Sequence, residues 1–245
     1  MRAPIIDHVT VRVSDLRASL RLYERLFELL PFEGRPYRSE DFVEWNDFSL
    51  LEDKPERATH GAHIAFAARS HEEIDTWWQE LTGAGYQDDG APGPRPIYTP
   101  DYYGAFIRDL EDNSLEAVRH EFTTTEPGLI DHLWIRVPDL DAARRFYTAI
   151  APAVGLRVRD RGHRLHLVAE GASFALLEGT PTENLHLAIG VAERQTVDAF
   201  HEAGLDGGGR DHGAPGERVH YHPGYYGAYL FDPAGNNIEA VFHDR

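Results

Sequence analysis

Apolar residues at Ile5, Val9, Val11 and Val13 alternate with polar ones, and this two-residue period predicts a half-buried strand interrupted by Asp7 and His8. The period then lengthens. Leu16, Leu20, Tyr23 and Phe27 recur at steps of three and four, the stripe of an amphipathic helix, with Ser14 or Asp15 available as its N-cap. Short strand-like runs follow over 31–37, 42–46 and 48–52, separated by polar residues or Gly. A second round starts at 62–67, passes through a helix over 72–81 that stops at Gly83, and closes with strands around 103–109 and 114–120. The second half of the chain runs in the same order, with helices near 142–149 and 194–201. Each half therefore reads as βαβββ twice, four such units in all.

The halves are also alike residue by residue. DHVTVRVSDLRASLRLY, beginning at Asp7, returns as DHLWIRVPDLDAARRFY at Asp131, and the segment from Ala91 to His120 returns from Ala214 to His243. A repeat of this length signals two homologous domains rather than a solenoid. The expected domains are residues 1–122 and 129–245, joined by TTTEPG over 123–128 as a linker.

Composition narrows the function classes. The 245 residues contain no cysteine, so disulfides and thiolate zinc sites are excluded and any metal must rest on imidazole, carboxylate or water. A formal net charge of −17 opposes a nucleic-acid backbone and is read as a solvated, solubilising surface. No apolar run reaches the length of a membrane span and the N-terminus has no secretory pattern, so the cytosol is the expected compartment.

DHVTVRV with its following helix, GAHIAF, and above all the terminal hairpin YYGAYLFDPAGNNIEAVFH resemble the vicinal-oxygen-chelate superfamily, which includes glyoxalase I, extradiol dioxygenases and bleomycin-resistance proteins. The resemblance implies an α+β fold in which four βαβββ units form two homologous domains with curved, cup-like mixed sheets. It also implies two sets of metal ligands. Carried over by motif, these are His8, His63 and Glu116 in the first half and His132, His186 and Glu239 in the second. Pairing of units across the halves would instead join His8 with His186 and Glu239. Two imidazoles and one carboxylate form an open face for a divalent ion, and Fe, Mn, Co, Ni and Zn all accept these donors.

Within the family, glyoxalase I carries a fourth carboxylate ligand, and the best-matching positions are Ser49 and Ala175, neither of which can serve. The extradiol signature is nearly matched by His222, Tyr229, Asp232, Pro233, Gly235 and Glu239, which makes His222 and Tyr229 the candidate catalytic pair. Their counterparts in the first half are Thr99 and Phe106. Ala228 and the strand beginning Ala172 depart from the signature. The two tyrosine pairs, Tyr102-Tyr103 and Tyr225-Tyr226, are read mainly as packing residues, one of each pair facing the cup. The resemblance implies a metal-dependent enzyme, a dioxygenase or a lyase/isomerase, acting on a small oxygen-chelating organic molecule. The alternative is a metal-free protein that sequesters an antibiotic or metabolite. Partners are expected to be a small-molecule substrate, without nucleic acid or membrane, and a homodimer stays open.

Overall fold

The computed structural model describes residues 6–30, 32, 34–125, 128–168 and 173–244. Four rounds of strand, helix and three strands follow one another, as the periodicity predicts. The first is β1 (Ile6–Val13), α1 (Leu16–Glu28), β2 (Tyr37–Arg38), β3 (Phe42–Trp45) and β4 (Phe48–Glu52). The second is β5 (His63–Ala67), α2 (His71–Gly83), β6 (Asp88–Pro94), β7 (Tyr103–Arg108) and β8 (Ser114–Arg119). The third is β9 (Ile130–Val137), α3 (Leu140–Ile150), β10 (Arg157–Asp160), β11 (Arg164–Val168) and β12 (Ser173–Glu178). The fourth is β13 (His186–Gly190), α4 (Arg194–Asp206), β14 (Arg210–Glu217), β15 (Tyr225–Phe231) and β16 (Asn237–His243).

Helix starts follow from side-chain caps. Asp15 and Asp139 accept from the amides of Ala18 and Ala142, and Ser70 accepts from that of Glu73, each satisfying a first-turn donor. The strand expected over 31–37 is reduced to Tyr37–Arg38, because Pro36 lacks an amide hydrogen and Gly34 adopts φ +151°; Pro31 and Glu33 lie outside the described residues. For two of these strands the periodicity locates no residues. β6 and β14, rich in Gly and Pro, have no alternation to read, yet both pair antiparallel with the following strand across irregular registers at Gly90 and Gly213, whose φ values are +155° and +158°.

The chain forms two compact units, residues 1–10 with 134–245 and residues 11–133. These units do not coincide with the repeats, because each first strand is divided: β1 and β9 both run across a boundary. In the unit of 1–10 and 134–245, strands hydrogen-bond in the order β14, β15, β16, β13, β1, with a second group β10, β11, β12, β9. In the unit of 11–133, the orders are β6, β7, β8, β5, β9 and β2, β3, β4, β1. Each is a mixed sheet, since β13 runs parallel to β16 and β5 parallel to β8 among antiparallel neighbours. The cores are apolar and aromatic. Phe27, Phe48 and Phe66 meet at ring-centroid distances of 5.1–5.6 Å in one, and Phe146, Tyr147 and Phe174 pack in the other.

The turn before the last strand of each half is held by one aspartate. Asp232 accepts from the amides of Ala234 and Asn236 and from the Tyr147 hydroxyl, while Asp109 accepts from Glu111, Asn113 and Tyr23. Asn236 and Asn113 then accept from the amides of Leu185 and Ala62, just ahead of β13 and β5. This is the physical content of the DPAGNN motif: it sets the starts of two parallel strands together. Of the expected linker, Glu126 and Pro127 lie outside the described residues, and Thr123 is buried with its hydroxyl accepting from the His120 amide. No helix among the described residues is long and apolar enough to cross a membrane.

Candidate metal centres

The six predicted ligands come together as two triads, but not by halves. His8, His186 and Glu239 converge in the unit of 1–10 and 134–245, and His63, Glu116 and His132 converge in the unit of 11–133. The regrouping follows from strand pairing. β1 lies antiparallel to β13, with His8 opposite Ala188 and Thr10 opposite His186, and β16 runs parallel on the other side of β13 with Glu239 opposite Ala188. Small Ala188 thus leaves room for the three longer side chains around it. In the first triad His8 Nε2 and His186 Nε2 are 3.0 Å apart, and they lie 3.7 and 3.2 Å from Glu239 Oε2. In the second, His63 Nε2 and His132 Nε2 lie 3.0 and 3.6 Å from Glu116 Oε2.

These spacings fit a small divalent cation, because donors about 2.1 Å from one ion lie roughly 3.0–3.7 Å from each other at angles between about 90° and 120°. The clearest sign is Glu239 Oε2, which is buried and has no hydrogen-bond partner while facing two imidazole nitrogens. Its other oxygen is engaged: Tyr225 donates to Oε1 at 2.7 Å, as Tyr102 donates to Glu116 Oε1 at 2.7 Å. Glycine makes space for each carboxylate, since a Cβ at Gly227 would lie 2.6 Å from Glu239 Oε1 and one at Gly104 2.4 Å from Glu116 Oε1. Burial raises the Glu116 carboxyl to about 7 despite the lowering influence of His132 and Tyr102. Burial, reinforced by the two glutamates, also lifts the phenols of Tyr102 and Tyr225 far above their ordinary range, so both stay protonated donors.

An aspartate orients one imidazole of each triad. His8 Nδ1 lies 2.9 Å from Asp7 Oδ1, and Asp7 also meets His243 Nε2 at 3.1 Å; His132 Nδ1 lies 2.8 Å from Asp131 Oδ1, which meets His120 Nε2 at 3.0 Å. Burial opposes the charge on Asp7 and Asp131, but their histidine partners overcome it and hold both well below the usual carboxylate range. His120 is also shifted: burial disfavours its cation, and Asp131 outweighs this to raise its pKa. A donor hydrogen on Nδ1 leaves Nε2 with its lone pair directed at the triad centre.

His222 lies outside the triads. Its Nε2 is 2.9 Å from His243 Nδ1, and His243 and Asp7 link it to His8. Tyr229 stands opposite Glu239 across β15 and β16, with its hydroxyl buried and its ring 6.3 Å from that of His186. Burial, aided by the charge of Glu239, raises its phenol. Ser49 and Ala175, the positions matched to a fourth ligand, are both buried. Asp7, Asp131, His120 and His243 join the site without being expected from the sequence, and Tyr102 and Tyr225, expected mainly to pack with one of each pair facing the cup, hold the glutamates. Their signal was present in the repeated Asp-His pair, the repeated terminal His and the repeated Tyr-Tyr. Tyr103 and Tyr226 turn the other way and donate to Asp75 and Asp198 on α2 and α4.

The chain belongs to the Glyoxalase/Bleomycin resistance protein/Dioxygenase superfamily, whose family model matches residues 5–116 and again 129–240. Among solved structures, glyoxalase I from Zea mays is similar with a TM-score of 0.66 and 19% identity, covering 98% of this chain and 92% of that one. A putative dioxygenase from Bacillus subtilis is similar with a TM-score of 0.66 and 11% identity, covering 100% and 86%. At these identities the likeness speaks for the fold alone. No curated protein matches the sequence.

Proposed function

We propose that the protein is a divalent-metal-dependent enzyme acting on a small organic substrate that chelates the ion through adjacent oxygens, with dioxygenase or lyase/isomerase chemistry. The observation that carries this reading is Glu239 Oε2, buried without a hydrogen-bond partner and directed at His8 Nε2 and His186 Nε2. His8, His186 and Glu239 would hold one ion, and His63, Glu116 and His132 a second. Such an ion supplies Lewis acidity to a bound oxygen and leaves coordination positions open to substrate.

The chain's own groups do the rest. Tyr225 and Tyr102 hold the carboxylates in place, and Asp7 and Asp131 keep hydrogen on the Nδ1 atoms of His8 and His132. In the unit of 1–10 and 134–245, the Tyr229 phenol can donate to developing negative charge, and His222 brings an imidazole that can give or accept a hydrogen. Phe106 can do neither and Thr99 offers a hydroxyl in place of an imidazole, so this unit is the better candidate for chemistry. The test is metal analysis of protein purified without added metal, alongside Glu239→Gln and Glu116→Gln. Bound metal that each substitution reduces supports the enzyme reading. Full occupancy by neither protein nor variant after reconstitution would turn the assignment to a metal-free protein that sequesters a small molecule.

A further inference from the structure

The two triads share their donor types, but the groups behind the second imidazole of each differ completely. His63 Nδ1 lies 3.1 Å from Ser114 Oγ, Ser114 donates its hydroxyl hydrogen to Asp89 Oδ2 at 2.8 Å, and Asp89 Oδ1 accepts from Arg108 at 2.9 Å. This chain of bonds has one direction. Asp89 is paired with a guanidinium and can only accept, so the single hydrogen of Ser114 is committed to it, and Ser114 can only accept from His63. Hydrogen is thereby held on Nδ1 and the Nε2 lone pair is left for a cation.

In the other repeat all three positions are exchanged: Asn237 replaces Ser114, His212 replaces Asp89 and Phe231 replaces Arg108. His212 packs against Phe231 with ring centroids 3.9 Å apart, and Asn237 Nδ2 lies 2.8 Å from His186 Nδ1. An amide turned this way gives its hydrogen to Nδ1, which moves the ring hydrogen onto Nε2, where a cation should bind. Turned the other way, Oδ1, which is buried and unpartnered, accepts from Nδ1. The amide thus accommodates either tautomer of His186, whereas the serine and aspartate permit one of His63. The aspartates behind His8 and His132 are matched, so they do not offset this difference.

We propose that Ser114 and Asp89 are positioning residues that make the His63–Glu116–His132 centre the tighter of the two, so that it fills first. This rests on the metal reading above. Partners behind a metal-bound histidine are worth roughly 10–100-fold in affinity, which sets the scale expected here. The experiment uses the full-length chain and Zn2+ alone, with affinity measured by competition against a chromophoric chelator. Glu239→Gln reports the Ser114-backed centre and Glu116→Gln the Asn237-backed one, and the first should bind Zn2+ at least about tenfold more tightly. Adding Ser114→Ala to Glu239→Gln should remove most of that advantage, read at a temperature where the metal-free variant is still folded, since loss of the buried hydroxyl also lowers its melting temperature. Asp89→Asn, on a partly exposed side chain, should remove a smaller part without touching a ligand or its neighbour's packing. Equal affinities in the two single variants, or an unchanged affinity in both Ser114→Ala and Asp89→Asn, would overturn the proposal. Absence of Zn2+ binding in every variant and in the parent would instead overturn the metal reading itself.

Discussion

His8 and His186, 178 positions apart in the chain, face each other Nε2 to Nε2 at 3.0 Å. Two imidazole nitrogens at that distance, with Glu239 Oε2 3.2 Å from one of them, must share a hydrogen or a cation. The first expected outcome is therefore stoichiometric: reconstituted protein binds up to two divalent ions per chain, and Glu239→Gln or Glu116→Gln each lowers this to about one. Elemental analysis after gel filtration reads the number directly. Two ions retained in Glu239→Gln would mean that this carboxylate is structural.

Glu116 gives a pH-dependent outcome. Its carboxyl sits near 7 in the fold against an ordinary 4.5, raised by burial. A raised carboxyl contributes stability that is complete below about 4.5 and is lost as pH climbs through 7. In metal-free protein at pH 8 the buried charge is a burden, so Glu116→Gln should melt higher than the parent, by about 2–4 °C for each kcal/mol recovered, and the gap should close as pH falls toward 5. With metal bound the order should reverse. Thermal melts at both pH values, with and without chelator, check it.

Gly227 is placed for its lack of a side chain. A Cβ there would stand 2.6 Å from Glu239 Oε1 and 3.2 Å from the Tyr225 ring, so Gly227→Ala should displace the carboxylate and cost about 1–3 kcal/mol from overpacking. The companion Tyr225→Phe removes only the donor, and should weaken metal binding about tenfold or more with little change in fold. Melting temperature and metal affinity, measured on both variants, separate the two effects.

Once a substrate is found, His222→Ala should lower turnover by roughly a hundredfold, the usual contribution of a positioned acid or base, with metal content unchanged. Substitution of Thr99 should do much less. Steady-state rates at matched metal occupancy decide, and an undiminished rate in His222→Ala removes the residue from the mechanism.

Much of this is legible in the sequence. The switch from alternation to a helical stripe locates β1 and α1 because burial of one face imposes those periods, and Asp15 caps where a helix needs an acceptor. The six ligands are legible through the repeat. Their grouping is not, because periodicity says which face of a strand is buried and nothing about which strand lies beside it. β6 and β14 escape for a different reason: bulged edge strands of Gly and Pro bury no regular face. Ser114 and Asn237 escape too, since their meaning lies in which neighbour they can donate to, and that is a property of three dimensions.

The division of β1 and β9 between compact units has a consequence for anything that cuts the chain. Residues 1–10 belong with 134–245, so cleavage between the repeats does not yield two self-sufficient halves. The N-terminal piece would carry away His8 from His186 and Glu239, and the C-terminal piece His132 from His63 and Glu116. Each piece holds the missing part of the other's candidate metal centre, so after a nick the fragments should stay clasped as a heterodimer, and a single repeat would complete such a centre by associating with a second copy of itself.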